Sequence, residues 1–139
     1  MIQRIQTIWY LLAAVVTGLV FTFDIYQATG NVVSNLTIGN DVVAIIIAAV
    51  AILLDLYTLI LFKNRKRQIT FNYLSIIATL SLFAYLYVSI DWRKEALGIV
   101  DGHYWIGLFL PLISFVFLVL GLLGVKKDEK LIKSLDRLR

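Results

Sequence analysis

The chain has no cysteine, one histidine and one proline in 139 residues, and only 16% of those residues are charged. Without thiols there are no disulfides, no iron-sulfur or thiolate zinc ligation and no cysteine nucleophile. His103 alone supports neither bis-histidine haem nor ordinary zinc chemistry. The sequence has no phosphate loop, no HExxH and no Ser-His-Asp set beyond that histidine. Paired carboxylates at helical spacing are missing from its apolar runs as well. An enzyme is therefore not expected, and no cofactor or metal site is assigned.

Apolar surface, by contrast, is abundant: 60% of the residues are hydrophobic and the mean hydropathy is +0.87. A water-soluble domain of this length cannot bury that much, because small chains hide a modest fraction of their surface on folding. Four stretches nearly free of charge stand out, at 5–23, 42–62, 71–90 and 104–125. Each is close to the roughly 20 residues a helix needs to cross about 30 Å of hydrocarbon. The expectation is an all-α integral membrane protein, a single domain over 1–139 made of four transmembrane helices and a cytoplasmic tail at 126–139. Arg4 before an apolar run is reminiscent of a signal peptide, but no small-residue cleavage pattern follows Phe23, so this segment reads as an uncleaved first span. Pro111 removes a backbone bond to the Gly107 carbonyl and is expected to bend the fourth helix.

Charge sets the expected orientation. Arg4, Lys63, Arg65, Lys66, Arg67, Lys126, Lys127, Lys130, Lys133, Arg137 and Arg139 fall on one side of the spans, and only Arg93 and Lys94 on the other. Short loops rich in Lys and Arg stay in the cytoplasm, so both termini are expected there. The acids Asp24, Asp41, Asp91, Glu95 and Asp101 lean to the opposite face, while Asp128, Glu129 and Asp136 lie with the basic set.

The connections are short. Residues 63–70 make a tight hairpin, 91–103 a small outer loop, and 24–41 a longer one. In that longer loop Gly30, Asn31, Asn35, Gly39 and Asn40 form turns around Val32, Val33, Leu36 and Ile38, which suggests a small hairpin or a lip over the helix ends. None of these segments can hold a soluble catalytic domain. His103, beside Tyr104 and Trp105, reads as interfacial packing. The Asn35-Leu36-Thr37 sequon is a weak match that matters only in a glycosylating host.

Asp55 stands inside the second apolar run, about 12 Å of helix rise from Lys63. Placing an aspartate there costs about 2.5 to 3.5 kcal/mol on insertion scales, so it needs a reason. One reason is structural glue, a hydrogen bond to Thr17, Ser75, Thr79, Ser114 or a partner's helix. The other is a proton-carrying or cation-binding carboxyl in a transport path. Because the carboxyl has no charged companion, glue is the preferred reading.

Small residues mark where helices approach closely: Ala14 and Gly18, Ala44 and Ala48, Ser75 and Thr79, and Gly107, Ser114 and Gly121. Packing within one bundle is the simpler use; a dimer or partner interface is the other. Trp9, Tyr10 and Tyr73 on one side, with Tyr26, Trp92, Tyr104 and Trp105 on the other, read as interfacial anchors. The tail carries Leu131, Ile132, Leu135 and Leu138 on one face and a Glu129 to Lys133 pair, so it is expected to extend the fourth helix and lie amphipathically at the inner leaflet. Lys63, Arg65, Lys66, Arg67, Lys126 and Lys127 are candidate contacts to anionic lipid headgroups, each charge worth about 1 kcal/mol near such a surface. Nucleic acid is not an expected partner.

Three motifs in order point to a family. These are Met1-Ile2-Gln3-Arg4-Ile5-Gln6-Thr7 with Tyr10-Leu11-Leu12-Ala13-Ala14, then Phe62-Lys63-Asn64-Arg65-Lys66-Arg67-Gln68-Ile69, then Leu110-Pro111-Leu112 followed by Lys127-Asp128-Glu129-Lys130-Leu131 and Asp136-Arg137-Leu138-Arg139. Together they resemble a bacterial family of small four-helix membrane proteins typical of Bacteroidota, catalogued as domain of unknown function four-two-nine-three. The resemblance spans essentially the whole chain and implies the inner membrane of a double-membrane bacterium. It carries over no catalytic or binding residue. The function expected is a non-catalytic accessory or structural subunit packed against a larger membrane complex. The alternative is a small homo-oligomeric proton-coupled transporter or channel using Asp55.

Overall fold

The computed structural model describes residues 2–29 and 35–136. Gly30, Asn31, Val32 and Val33 of the expected loop turn lie outside the described residues, as do Arg137, Leu138 and Arg139 of the tail. The side chains of Arg4, Lys133, Leu135 and Asp136 lie outside them too. Among the described residues are four α-helices, α1 (Ile2–Leu19), α2 (Val42–Ile60), α3 (Arg65–Leu97) and α4 (Ile106–Asp136). Two three-residue strands, β1 (Tyr26–Ala28) and β2 (Gly102–Tyr104), join them.

Local chemistry fixes the helix ends. The Asp41 carboxylate accepts from the backbone N–H groups of Val43 and Ala44, each at 3.1 Å, and so starts α2 by satisfying donors that a helix N-terminus leaves unpaired. Tyr85 on α3 donates to the same carboxylate oxygen at 3.0 Å. At the opposite end Asn64 accepts from the Arg67 N–H at 3.4 Å and starts α3 at Arg65. The expected hairpin loop is thus mostly helix, and Arg65, Lys66 and Arg67 occupy a first helical turn. The other end of α3 also runs past its expected limit, through Asp91 to Leu97, until Gly98 at φ 65° stops it in the left-handed conformation that glycine adopts without steric cost.

Among the described residues, three segments are long and apolar enough to cross a membrane: Val42–Lys63, Arg65–Leu97 and Ile106–Ile132. The apolar part of α1 is shorter, Ile5–Leu19, because this helix ends at Leu19 rather than near Phe23. There the Thr22 hydroxyl donates to the Leu19 carbonyl at 2.8 Å. α4 continues without a break through Pro111 and on through Lys126 into the tail.

The helices form a four-membered ring in which α1 and α3 each pack against both α2 and α4. Gly107 has no room for a Cβ, which would stand 2.4 Å from the Asp24 carbonyl oxygen; at Gly121 a Cβ would stand 2.7 Å from the Tyr10 ring. Ala44, Ala48, Ser75, Thr79 and Ser114 are buried, so these small residues serve close packing inside one bundle. Gly18 differs: nothing lies within 4 Å of where its Cβ would be.

One end of the ring is closed by the described parts of the loop before α2, residues 24–29 and 35–41. β1 pairs antiparallel with β2, Tyr26 opposite Tyr104 and Gln27 opposite His103. Leu36 folds back to bridge Tyr26, Ile25 donates its N–H to the Leu36 carbonyl at 2.8 Å, and Trp105 donates to the Ile25 carbonyl at 2.9 Å. This lip buries Ile25, Leu36 and Ile38 over the helix ends. Tyr26 and Tyr10, expected as interfacial anchors, are instead core residues, 3% and 0% exposed. Each has a local cause: Tyr26 is held inward by its two strand partners, and Tyr10 by a hydrogen bond from Asn72.

Candidate functional site

Among the described residues, side-chain hydrogen bonds cross between helices inside the bundle at several levels; besides Gln68 on α3, which donates to the Thr58 carbonyl on α2 at 3.1 Å, three more links stand out. Gln6 on α1 donates to the Asp128 carboxylate on α4 at 2.7 Å. Asn72 on α3 donates its side-chain N–H groups to the Tyr10 hydroxyl at 2.8 Å and to the Leu118 carbonyl at 3.2 Å, so one amide joins α1, α3 and α4. Thr17 donates to Ser114 at 2.8 Å, and Ser114 donates on to the Ala13 carbonyl at 3.0 Å. These bonds need little water around them, and in a low-dielectric interior they orient the helices as well as hold them.

Asp55 lies on the inner face of α2 and is fully buried within its own bundle, with neither carboxylate oxygen hydrogen-bonded. Of its expected partners, Thr17 and Ser114 are bonded to each other, and Thr79 donates to the Ser75 carbonyl at 2.8 Å. Ser75 is the side chain that faces Asp55, at a geometry short of a hydrogen bond, and its hydroxyl has no other partner. The side-chain oxygen of Asn72, one turn away on the same face of α3, is also without a partner. Such a set can accept a proton or a cation, but it holds no base and nucleophile in contact. Among the described residues no three His, Cys, Asp or Glu side chains come together as a metal cluster.

The six basic candidates gather at the end of the bundle away from the lip. Lys63 lies over the Phe62 ring at 5.9 Å and is exposed. Arg65 is half-buried, while Lys66 and Arg67 are exposed and line a shallow groove with Tyr57, Thr70 and Phe71. Tyr57 and Phe71 meet edge to face at 4.6 Å in its floor. Lys126 donates to the Tyr73 hydroxyl and stands 5.1 Å from that ring, and Lys127 is exposed. Basic side chains at the start of α3 oppose the helix dipole, so an anion at this end relieves an unfavourable arrangement.

At the lip end His103 is exposed and meets Trp105 edge to face at 5.5 Å, in keeping with surface packing. Asn35 of the sequon donates to the Asp24 carboxylate at 2.7 Å, and its neighbour Leu36 is buried.

The family assignment rests on the whole length of this arrangement. A family model described as domain of unknown function (DUF4293) matches residues 2–138. The chain belongs to that family. The match takes in the lip, all four helices and both residues of the Gln6 to Asp128 link. No curated protein and no solved structure matches the chain. The family description carries no activity.

Gln6, Asn72 and Asp128 bear cross-helix bonds that the expected partner sets did not contain. Their signal was present but faint: an uncharged amide inside an otherwise apolar run, and an acid among basic neighbours, are buried only when a partner helix offers the complement.

Proposed function

We propose that this chain is a four-span protein of a bacterial inner membrane, with both termini in the cytoplasm, acting as a non-catalytic subunit that packs against a larger membrane complex. One observation carries the reading. Interior polar groups are largely committed to fastening the helices of the bundle, whereas the outward face of α2 presents Ile46, Val50, Leu53 and Ile60, 57%, 47%, 66% and 65% exposed. A protein arranged this way offers its surroundings shape and apolar contact in place of reactive groups. The basic end, with Lys63, Arg65, Lys66, Arg67, Lys126 and Lys127, suits anionic headgroups of the cytoplasmic leaflet. Purification from the native host in mild detergent tests the reading. A larger membrane protein is expected in fixed stoichiometry; recovery of this chain alone, or only as copies of itself, contradicts it.

A second reading is favoured by Asp55, whose two oxygens are buried without a partner. In it the chain is a homo-oligomeric transporter coupled through that carboxyl. Loss of gradient-driven flux in vesicles on Asp55→Asn, with assembly intact, supports this reading; loss of assembly alone returns the residue to a structural role.

A further inference from the structure

We propose that Asp55, Ser75 and Asn72 form a binding site for a small monovalent cation of sodium or lithium size, held between α2 and α3 inside the bundle. The proposal rests on the second reading above and names the coupling ion for that site.

Helix register brings the three residues together. Gln68 donates to the Thr58 carbonyl at 3.1 Å and Tyr85 to the Asp41 carboxylate at 3.0 Å, which locks α2 antiparallel to α3 at both ends. Asp55 is then level with the turn of α3 that carries Asn72 and Ser75, and Ser75 faces it. The orientation of the Asn72 amide is decided by chemistry: the Leu118 carbonyl can only accept, so the amide nitrogen turns to it and the amide oxygen turns away from α4.

The result is a layer of oxygen acceptors. Both Asp55 oxygens, the Ser75 hydroxyl and the Asn72 side-chain oxygen lack partners, and all three residues are 0% exposed. Buried polar atoms are normally satisfied, so with Asp55 ionised this layer is suited to a ligand that is drawn to oxygen. With Asp55 ionised, the Ser75 hydroxyl is the one donor in the set and leaves most of these oxygens unmet; a neutral carboxyl is the competing state, and the response to acid separates the two. A hard cation is met by all of these oxygens together, because carboxylate, hydroxyl and amide oxygen are its preferred ligands. Charge selects the valence. No basic side chain acts on Asp55 among the described residues, and the groups that approach this layer from α1 and α4 are the neutral Tyr10 hydroxyl and Leu118 carbonyl. One carboxylate neutralises one positive charge, and a divalent ion would leave an excess charge buried at high cost.

The test uses the full chain in detergent at constant ionic strength, with choline chloride replaced stepwise by sodium, lithium or potassium chloride, and reads the thermal unfolding temperature. A saturable rise of several degrees is expected in sodium or lithium and a smaller one in potassium. Ser75→Ala, which keeps the carboxylate, is expected to weaken the apparent affinity at least tenfold, and Asp55→Asn to abolish the rise. Equal unfolding temperatures in sodium and choline overturn the proposal, as does a rise that survives Asp55→Asn or a stabilisation that responds only to acid. Vesicles separate this proposal from the transport reading. Saturable binding without flux keeps the site and ends that reading, whereas pH-driven flux indifferent to these cations keeps transport and ends the site.

Discussion

Gln6 and Asp128 meet at 2.7 Å across 122 positions of sequence, fastening the beginning of α1 to the far part of α4. Both are nearly buried, 6% and 7% exposed, so the amide is the means by which an acid is accommodated between two helices. Removing the donor leaves an acceptor unmet, and the cost of that orphan exceeds the worth of the bond. Gln6→Leu is expected to lower stability by about 1 to 3 kcal/mol, read as thermal unfolding in detergent. A Gln6→Leu protein as stable as the parent contradicts the structural role of this link.

The two glycines of the helix seams separate close packing from conformational freedom. Gly121→Ala places a methyl 2.7 Å from the Tyr10 ring, so α1 and α4 must part or the ring must move, with an expected loss of about 1 to 3 kcal/mol. Gly18→Ala meets nothing within 4 Å and replaces a poor helix former with the best one, an expected gain of about 0.5 to 1 kcal/mol. Unfolding of the two variants side by side checks the pair; equal effects would show that the α1 to α4 seam is not close-packed at Gly121.

Asn72 and Tyr10 are expected to behave as a coupled pair. Tyr10→Phe removes one of the two acceptors of the Asn72 amide and leaves the Leu118 carbonyl, whereas Asn72→Leu releases Tyr10 and Leu118 together. The double-mutant cycle is expected to return a coupling of about 0.6 kcal/mol, the typical size of such a bond between helices in lipid, and a cycle that closes to zero contradicts the bond.

The sequence made the helices legible where an apolar run ended in an obvious cap, and obscured them where charge continued in helical form. α2 was expected over 42–62 and is found at Val42–Ile60, because Asp41 is both the end of the loop and a helix cap. Both ends of α3 were missed. Arg65 to Arg67 and Asp91 to Leu97 are too polar to count as span but contain nothing that breaks a helix, and the actual stops are Asn64 and Gly98. Thr17 and Ser114 are legible in the sequence only as possible partners of Asp55; that they bond to each other follows from the antiparallel register of α1 and α4. Tyr10 shows the limit of reading depth from residue type. An aromatic near a charged end suits an interface, and only the Asn72 amide on another helix makes burial the better place for its hydroxyl. Asp55 was conspicuous as an acid in an apolar run; its isolation from Thr17, Thr79 and Ser114 follows from where those side chains spend their own hydrogen bonds.

The proposed topology, four spans with the basic end in the cytoplasm and the lip outside, is directly measurable because the chain has no cysteine. Single cysteines at Lys66→Cys and Lys127→Cys on the basic end, and at Val100→Cys beside the lip, all replace exposed residues. Treated with a membrane-impermeant maleimide on cells whose outer face of the inner membrane is accessible, Val100→Cys is expected to label at once, and Lys66→Cys and Lys127→Cys only after permeabilisation. Labelling of the two basic-end positions in intact cells, or of one of them without the other, would contradict this topology.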